Sequence, residues 1–157
     1  MISRAFGVLA LAMAVAAGIA VDAVDAATYR VDDGASTPLE SGAVLRWREG
    51  VPSKSNDNTI EGAVAVALRL NVAPWINRTA RLFLVLPERG TAPVKVTWLT
   101  QGRLLPGTIA PGNRVLVHAG PITSPILEET LTLKIEADGT RLPGTQRLNF
   151  HFEIDLD

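Results

Sequence analysis

Hydrophobic and polar residues alternate along most of the chain after residue 42, which is the pattern of β-strands with one buried face. The alternation is clearest from Ile60 to Val72, where large aliphatic side chains share one parity and small or charged side chains share the other. A helix with this pattern would spread its leucines and valines around its whole circumference. The pattern predicts seven strands: Ala43–Arg48, Ile60–Val72, Arg81–Leu86, Val94–Leu99, Arg114–His118, Glu129–Ala137 and Gln146–Leu156.

Proline and glycine separate these segments, as at Pro106-Gly107, Pro111-Gly112 and Pro143-Gly144. Such pairs are typical of tight turns. No stretch after residue 26 keeps the 3.6-residue period of a helix. Seven short strands joined by turns predict one antiparallel immunoglobulin-like β-sandwich over residues 42–157, with a small β-barrel as the alternative.

Residues 1–26 have a different character. Arg4 precedes an apolar run of 16 residues, Phe6 to Val21, and small residues follow up to Ala26. This order predicts a bacterial signal peptide that is cleaved on export to the periplasm or the cell surface. The run is shorter than the ~20 residues of a membrane-spanning helix, so we expect no membrane span after cleavage.

Residues 27–41 are mostly polar and lie outside the alternating pattern. Asp32-Asp33-Gly34 interrupts the short alternation that begins with Tyr29 and Val31. We therefore expect a flexible N-terminal arm here, followed by the sandwich domain.

Composition narrows the function classes. The chain has no cysteine, which excludes disulfides, thiolate metal sites and cysteine nucleophiles. Its 15 basic and 16 acidic residues leave it almost neutral, which disfavours nucleic-acid binding. The sequence contains no Gly-x-Ser-x-Gly, Ser-x-x-Lys or His-Glu-x-x-His signature and no phosphate-binding glycine loop. We expect a protein that is not an enzyme and needs no cofactor or metal.

Two histidines are the only side chains that ordinarily titrate near neutral pH. His118 ends a predicted strand, where it would lie at the rim of the sandwich. His151 shares one parity of the last strand with Asn149, Glu153 and Asp155. Same-face neighbours on a strand are ~7 Å apart, so we expect this row to form a solvated outer face. A secreted hydrolase or metal-binding enzyme is the least favoured alternative.

Three tryptophans are candidates for the core or for a ligand contact. Trp98 alternates with Val94 and Val96, which predicts a core position. Trp47 stands between two arginines in the first predicted strand, and we expect it in the core or between the sheets. Trp75 follows a proline beyond the long second strand, where it would either contact a ligand from a loop or close the end of the sandwich.

The last fourteen residues carry the most specific pattern. Gly144 is fourteenth from the end, and one parity beyond it is entirely apolar: Leu148, Phe150, Phe152, Ile154 and Leu156. This segment resembles the C-terminal motif of chaperone–usher pilus subunits, in which a glycine at that distance precedes an alternating hydrophobic strand. The resemblance covers these fourteen residues, and the penultimate Leu156 replaces the family's usual aromatic residue.

The resemblance implies both a partner and a mechanism. In that family the last strand pairs with a periplasmic chaperone, and the incomplete immunoglobulin-like subunit is later completed by the N-terminal arm of the next subunit. Both steps are β-strand addition. By this analogy, Tyr29 and Val31 would belong to a donor arm.

Two functional hypotheses follow. The first is an exported, non-enzymatic β-sandwich that binds a protein or self-assembles through an edge strand or its loops, with the five apolar residues of the last strand at the contact. The alternative is a pilus subunit that polymerises by donor-strand complementation.

Overall fold

Two antiparallel sheets account for almost all the regular structure of the chain. The computed structural model describes residues 27–50, 54, 57–88, 93–142 and 147–156, so the predicted signal peptide and Gly144 lie outside the described residues. The described residues form ten strands and one short 3-10 helix, Ala73–Trp75. The strands are β1 (Thr28–Arg30), β2 (Thr37–Pro38), β3 (Arg46–Trp47), β4 (Thr59–Asn71), β5 (Thr79–Leu86), β6 (Val94–Thr100), β7 (Gly107–Ile109), β8 (Asn113–Pro121), β9 (Ile126–Asp138) and β10 (His151–Leu156).

Sheet A has the strand order β1-β10-β5-β8, and sheet B has the order β2-β4-β9-β6-β7, with β3 paired to the beginning of β4. The predicted all-β sandwich is confirmed, and the barrel alternative is wrong because the two sheets stay separate. Each of the seven predicted strands is present, although the first is reduced to Arg46–Trp47 and the last begins only at His151. The strands that the pattern missed, β1, β2 and β7, have only two or three residues each.

The long strands β4 and β9 form the centre of sheet B. Their pairing runs without a shift from Thr59 opposite Asp138 to Asn71 opposite Ile126. Alternation decides which side of β4 is buried: Leu70 is fully buried, whereas its neighbour Arg69 is exposed. The hydrophobic face of sheet B therefore turns towards sheet A along the parity that the sequence predicts.

The tryptophans divide between core and surface. Trp98 is completely buried, as predicted, and its indole Nε1–H donates to the backbone oxygen of Leu105 at 2.9 Å. This bond satisfies the one polar atom that the ring carries into the core. The prediction for Trp47 is wrong: it is 36% exposed at the edge of sheet B, where its ring lies over Gly139 and leaves no room for a side chain there.

The N-terminal segment crosses from one sheet to the other. After β1 in sheet A, Val31 enters the core at 1% exposure, and Asp32 bridges to Asn71 at the edge of sheet B. Further along, the Ser36 hydroxyl accepts from the backbone N–H of Arg69 at 2.9 Å and donates to its carbonyl oxygen at 3.2 Å. The prediction that residues 27–41 lie outside the sandwich is therefore wrong, because two short stretches of this segment complete the sheet edges.

The order of the strands within each sheet can be matched to that of an immunoglobulin-like sandwich. An immunoglobulin-like sandwich has strands A-B-E-D in one sheet and C-F-G in the other. The run β2-β4-β9-β6 corresponds to A-B-E-D, while β5 and β10 correspond to C and F. On the side of β10 away from β5, where strand G would lie, the structure has the N-terminal strand β1. We call this side of β10, along residues 147–155, the G position.

The buried and exposed faces can be tested with two leucines. We expect Leu70→Ala to lower the free energy of unfolding by about 2–5 kcal/mol, because the substitution leaves a cavity in the core. Leu99 on β6 is 64% exposed, so Leu99→Ala should change stability by less than about 0.5 kcal/mol. Urea denaturation measures both, and equal effects would contradict the assigned faces.

Candidate functional site

The strand expected to be a free edge lies inside sheet A. β10 has β1 on one side and β5 on the other, so the expectation of an unpaired edge strand is wrong. Phe152, Ile154 and Leu156 are buried in the domain's own core. Leu148 and Phe150 precede the strand and are only partly buried against that core. An interior strand and an edge strand with one buried face have the same alternation, which is why the pattern alone did not distinguish them.

The contact between β1 and β10 is short. Val31 extends it by one bond, donating its N–H to the Phe152 carbonyl at 2.9 Å. Beyond Val31 the chain leaves for sheet B, and among the described strands none pairs with residues 147–150. The G position is therefore filled along only part of its length. The register of β1 pairs Thr28 with Asp155, Tyr29 with Ile154 and Arg30 with Glu153.

Tyr29 packs near the end of the sandwich. Its ring lies 6.0 Å from that of Trp75, between centroids, with the two planes tilted by 45°. Trp75 is only 9% exposed, whereas Tyr29 is 44% exposed. Of the two alternatives for Trp75, the exposed loop contact is wrong and closure of the end of the sandwich is what the structure has, since the 3-10 helix turns this side chain inward.

Two cavities of about 630 and 710 Å³ lie on the inner face of sheet B, beside the residues that precede β10. They share Leu148 and Phe150 on one side and Val66 and Leu133 on the inner face of sheet B. The larger cavity is lined by apolar side chains and a glycine among the described residues. Both volumes fall in the range of ~300–1,000 Å³ that is typical of ligand-binding pockets.

A polar cluster joins the strands on the outer face of sheet A. From β8, the Arg114 guanidinium lies 3.6 Å above the Phe83 ring of β5 and reaches β10 on the far side. Its two terminal nitrogens donate to the Asp155 carboxylate at 2.9 and 2.6 Å. Its Nε lies 2.9 Å from a carboxylate oxygen of Glu153. The planar guanidinium can make this bidentate pair with a carboxylate and stack on an aromatic ring at the same time, which the ammonium group of a lysine cannot do.

Asp155 extends the cluster to the N-terminal strand. The Thr28 hydroxyl donates to Asp155 Oδ1 at 2.7 Å. Asp155 is only 7% exposed, so the expectation that this row forms a solvated face is wrong at this residue. The hydrogen bonds from Arg114 hold the pKa of the Asp155 carboxyl below its usual value, although burial acts in the opposite direction. Asp155 therefore stays ionised at neutral pH as a compensated buried charge.

The histidines do not assemble a catalytic group in the described part of the chain. His151 Nε2 lies 3.1 Å from Glu153 Oε1, so these two side chains form a hydrogen bond at the start of β10. His118 is half-buried on β8, and its Nε2 has no hydrogen-bond partner among the described residues. Within the same residues, no group of three or more His, Asp or Glu side chains is arranged to hold a metal ion.

The contacts that Arg114, Phe83 and Thr28 make in this cluster had no signal in the sequence. These residues belong to no motif, and Arg114 is 41 positions from Asp155. The sequence did show that His151, Glu153 and Asp155 share one face of the last strand. It did not show that Arg114 from β8 binds the two carboxylates.

No protein-family model, curated protein or solved structure matches this chain. No helix within the described ranges is long and apolar enough to cross a membrane.

The cluster predicts a difference between two arginines. Arg114→Ala should lower the free energy of unfolding by about 1–3 kcal/mol, because it leaves the buried Asp155 carboxylate without its main partner. Arg69→Ala removes an ion pair to Glu128 in which both side chains are more than half exposed, and should cost about 0–1 kcal/mol. Thermal and urea unfolding of both variants measure the contrast. A smaller effect at Arg114 than at Arg69 would refute the role of the cluster.

The lowered pKa of Asp155 also predicts a pH dependence. An unfolded aspartate has a pKa of about 3.9, and the folded value is lower. The stabilisation from ionised Asp155 is thus present above pH ~3.9 and is lost as pH falls through the folded-state pKa. The stability difference between the natural chain and Asp155→Asn should be constant from pH 5 to 8 and should shrink below about pH 4. For the control, the exposed Glu128→Gln variant, the free energy of unfolding should differ little from that of the natural chain, both at pH 5 to 8 and below about pH 4.

Proposed function

We propose that this protein is a non-enzymatic binding or assembly domain that accepts an extended strand of a partner protein at the G position. One observation carries the proposal. The neighbour of β10 at this position is the three-residue β1, and residues 147–150 have no neighbouring strand in the described chain. The backbone next to Leu148 and Phe150 is thus a place where another strand can pair.

The two cavities support this role, and the larger of them is lined by apolar side chains. A strand that continued along residues 147–151 would direct every second side chain towards Val66 and Leu133, which line both cavities. Each large apolar side chain buried there would contribute about 1.5–3 kcal/mol before the entropy cost of ordering the strand. Backbone hydrogen bonds would give affinity, and the alternating side chains would set the register.

A pilus subunit is the second candidate function. The observation that favours it is the antiparallel pairing of an N-terminal strand with the hydrophobic C-terminal strand. In an exported subunit of that class, a periplasmic chaperone would occupy the G position first, and a strand of another subunit would then replace it. Export to the periplasm or cell surface belongs to the same proposal and depends on the signal peptide predicted at residues 1–26.

Removing β1 tests whether the G position accepts a strand in trans. A chain starting at Asp32 should melt at a lower temperature than a chain starting at Ala27, because it lacks Val31 in the core. A peptide of residues 27–35 should raise that melting temperature, whereas the same peptide with Val31→Asp should not. Differential scanning fluorimetry and size exclusion measure both effects.

A second variant covers the case in which the shortened chain does not fold. Val31→Ala in the chain from Ala27 keeps β1 but weakens its hold on the core, so this variant should also respond to the peptide. If neither chain responds to any concentration of the peptide, β10 does not accept strands and the proposed function is wrong.

A further inference from the structure

We infer that the two cavities on the inner face of sheet B form one binding site for a neutral single-chain lipid, with its aliphatic chain in the larger cavity and its polar head in the smaller one. The inference goes beyond the proposed function, because it concerns a small molecule held against sheet B and not a strand at the G position. The burial along sheet B, the lining of each cavity and the residues that the cavities share support this assignment.

The inner face of sheet B is packed less completely beside the cavities than elsewhere. On β4, Leu70 is fully buried, whereas Val66 and Ile60, nearer the start of the strand, are only partly buried. On β9, Leu131 is buried and Ile135 is only partly buried. A ligand that fills the cavities removes this remaining apolar surface from water, which is favourable.

The larger cavity suits an aliphatic chain better than a peptide. Its described lining residues are all apolar, and they include Ile60, Val94 and Leu142, which do not line the smaller cavity. A peptide would bring a backbone N–H and carbonyl into this space at every residue, and each would lose its hydration without a polar side chain to pair with. An aliphatic chain carries no such groups.

The smaller cavity is polar on one side. Five polar residues contribute to its lining: Arg30, Asp33, Ser36, Asn149 and His151. Arg30 and Asp33 have opposite charges, and His151 is already hydrogen-bonded to Glu153. No described strand pairs with the backbone at residue 149, so its N–H and carbonyl can bond to hydroxyl groups of a ligand. This lining favours a polar head without net charge.

The two cavities meet at residues that belong to both. These shared residues are Val66, Leu133, Leu148 and Phe150. A lipid with its head beside Asp33 and its chain directed towards Ile60 would pass these four side chains, with its polar and apolar parts each against a lining of the same character. A charged head would lie beside a like charge, on Arg30 or on Asp33, and would lose part of its hydration.

A series of lipids tests the chain and the head separately. The protein from Ala27, which contains every described strand, should bind decanoylglycerol roughly tenfold more tightly than octanoylglycerol, and lauroylglycerol roughly tenfold more tightly again, because each step buries two further methylenes. Decanoate and decylammonium should both bind roughly tenfold more weakly than decanoylglycerol, because their charged heads lose hydration. Isothermal titration calorimetry below the critical micelle concentration measures these affinities.

Substitutions that fill the cavities test the location of the lipid. Val66→Phe places a larger side chain where the two cavities meet and should weaken binding of decanoylglycerol roughly tenfold or more. The matched control is Ala65→Phe, on the opposite face of the same strand, which should bind like the natural chain. Val94→Phe narrows the larger cavity from β6 and covers the case in which Val66→Phe does not fold. Circular dichroism and thermal unfolding establish that each variant is folded.

The outcomes separate this inference from the proposed function. Equal affinity for the three glycerides, or unchanged affinity in folded Val66→Phe and Val94→Phe, would show that the lipid chain does not enter the larger cavity and would overturn the inference. Binding of decanoate or decylammonium as tight as that of decanoylglycerol would overturn it at the head. A response to the peptide of residues 27–35 without binding of any lipid would refute the inference and leave the proposed function standing. Lipid binding without a response to the peptide would do the reverse.

Discussion

The salt bridge between Arg114 and Asp155 organises sheet A. It crosses β5 over the face of Phe83 and therefore joins strands that are not neighbours. Through Asp155 and Thr28 it also reaches β1, so one carboxylate is shared by the N-terminal strand, the last described strand and β8. A buried carboxylate is unfavourable without such partners. The Arg114 guanidinium is the main partner that keeps the Asp155 carboxylate ionised, and it ties β10 to β8 across β5.

The two sheets differ in length, and this difference explains the cavity. β4 and β9 each have 13 residues, whereas β10 has six. The two central strands of sheet B are thus longer than any described strand of sheet A, and among the described residues the apolar inner face of sheet B meets loop segments such as those of Leu45 and Leu148.

Much of the fold could be predicted because alternation reports burial directly. The strands β4, β5, β6 and β9 were recognised from residues such as Leu70 and Trp98, whose parity decides which side faces the core. The short strands β1, β2 and β7 were missed because two or three residues cannot display a period. The polar cluster was missed for another reason: Arg114 and Asp155 are distant in the chain, and their meeting depends on how the sheet is ordered.

The amino-acid sequence by itself determined the β class of this protein, the buried parity of each long strand and the hydrophobic character of the last one. The tertiary structure decided which strands became neighbours: β1 beside β10, Arg114 over Phe83, Trp75 turned inward and Trp47 at an edge. The physical reason is that side-chain alternation is a local property of the backbone, with a period of two residues. Strand neighbours are selected by hydrogen bonds and packing between residues that are far apart along the chain, and the sequence pattern of a single strand does not encode them.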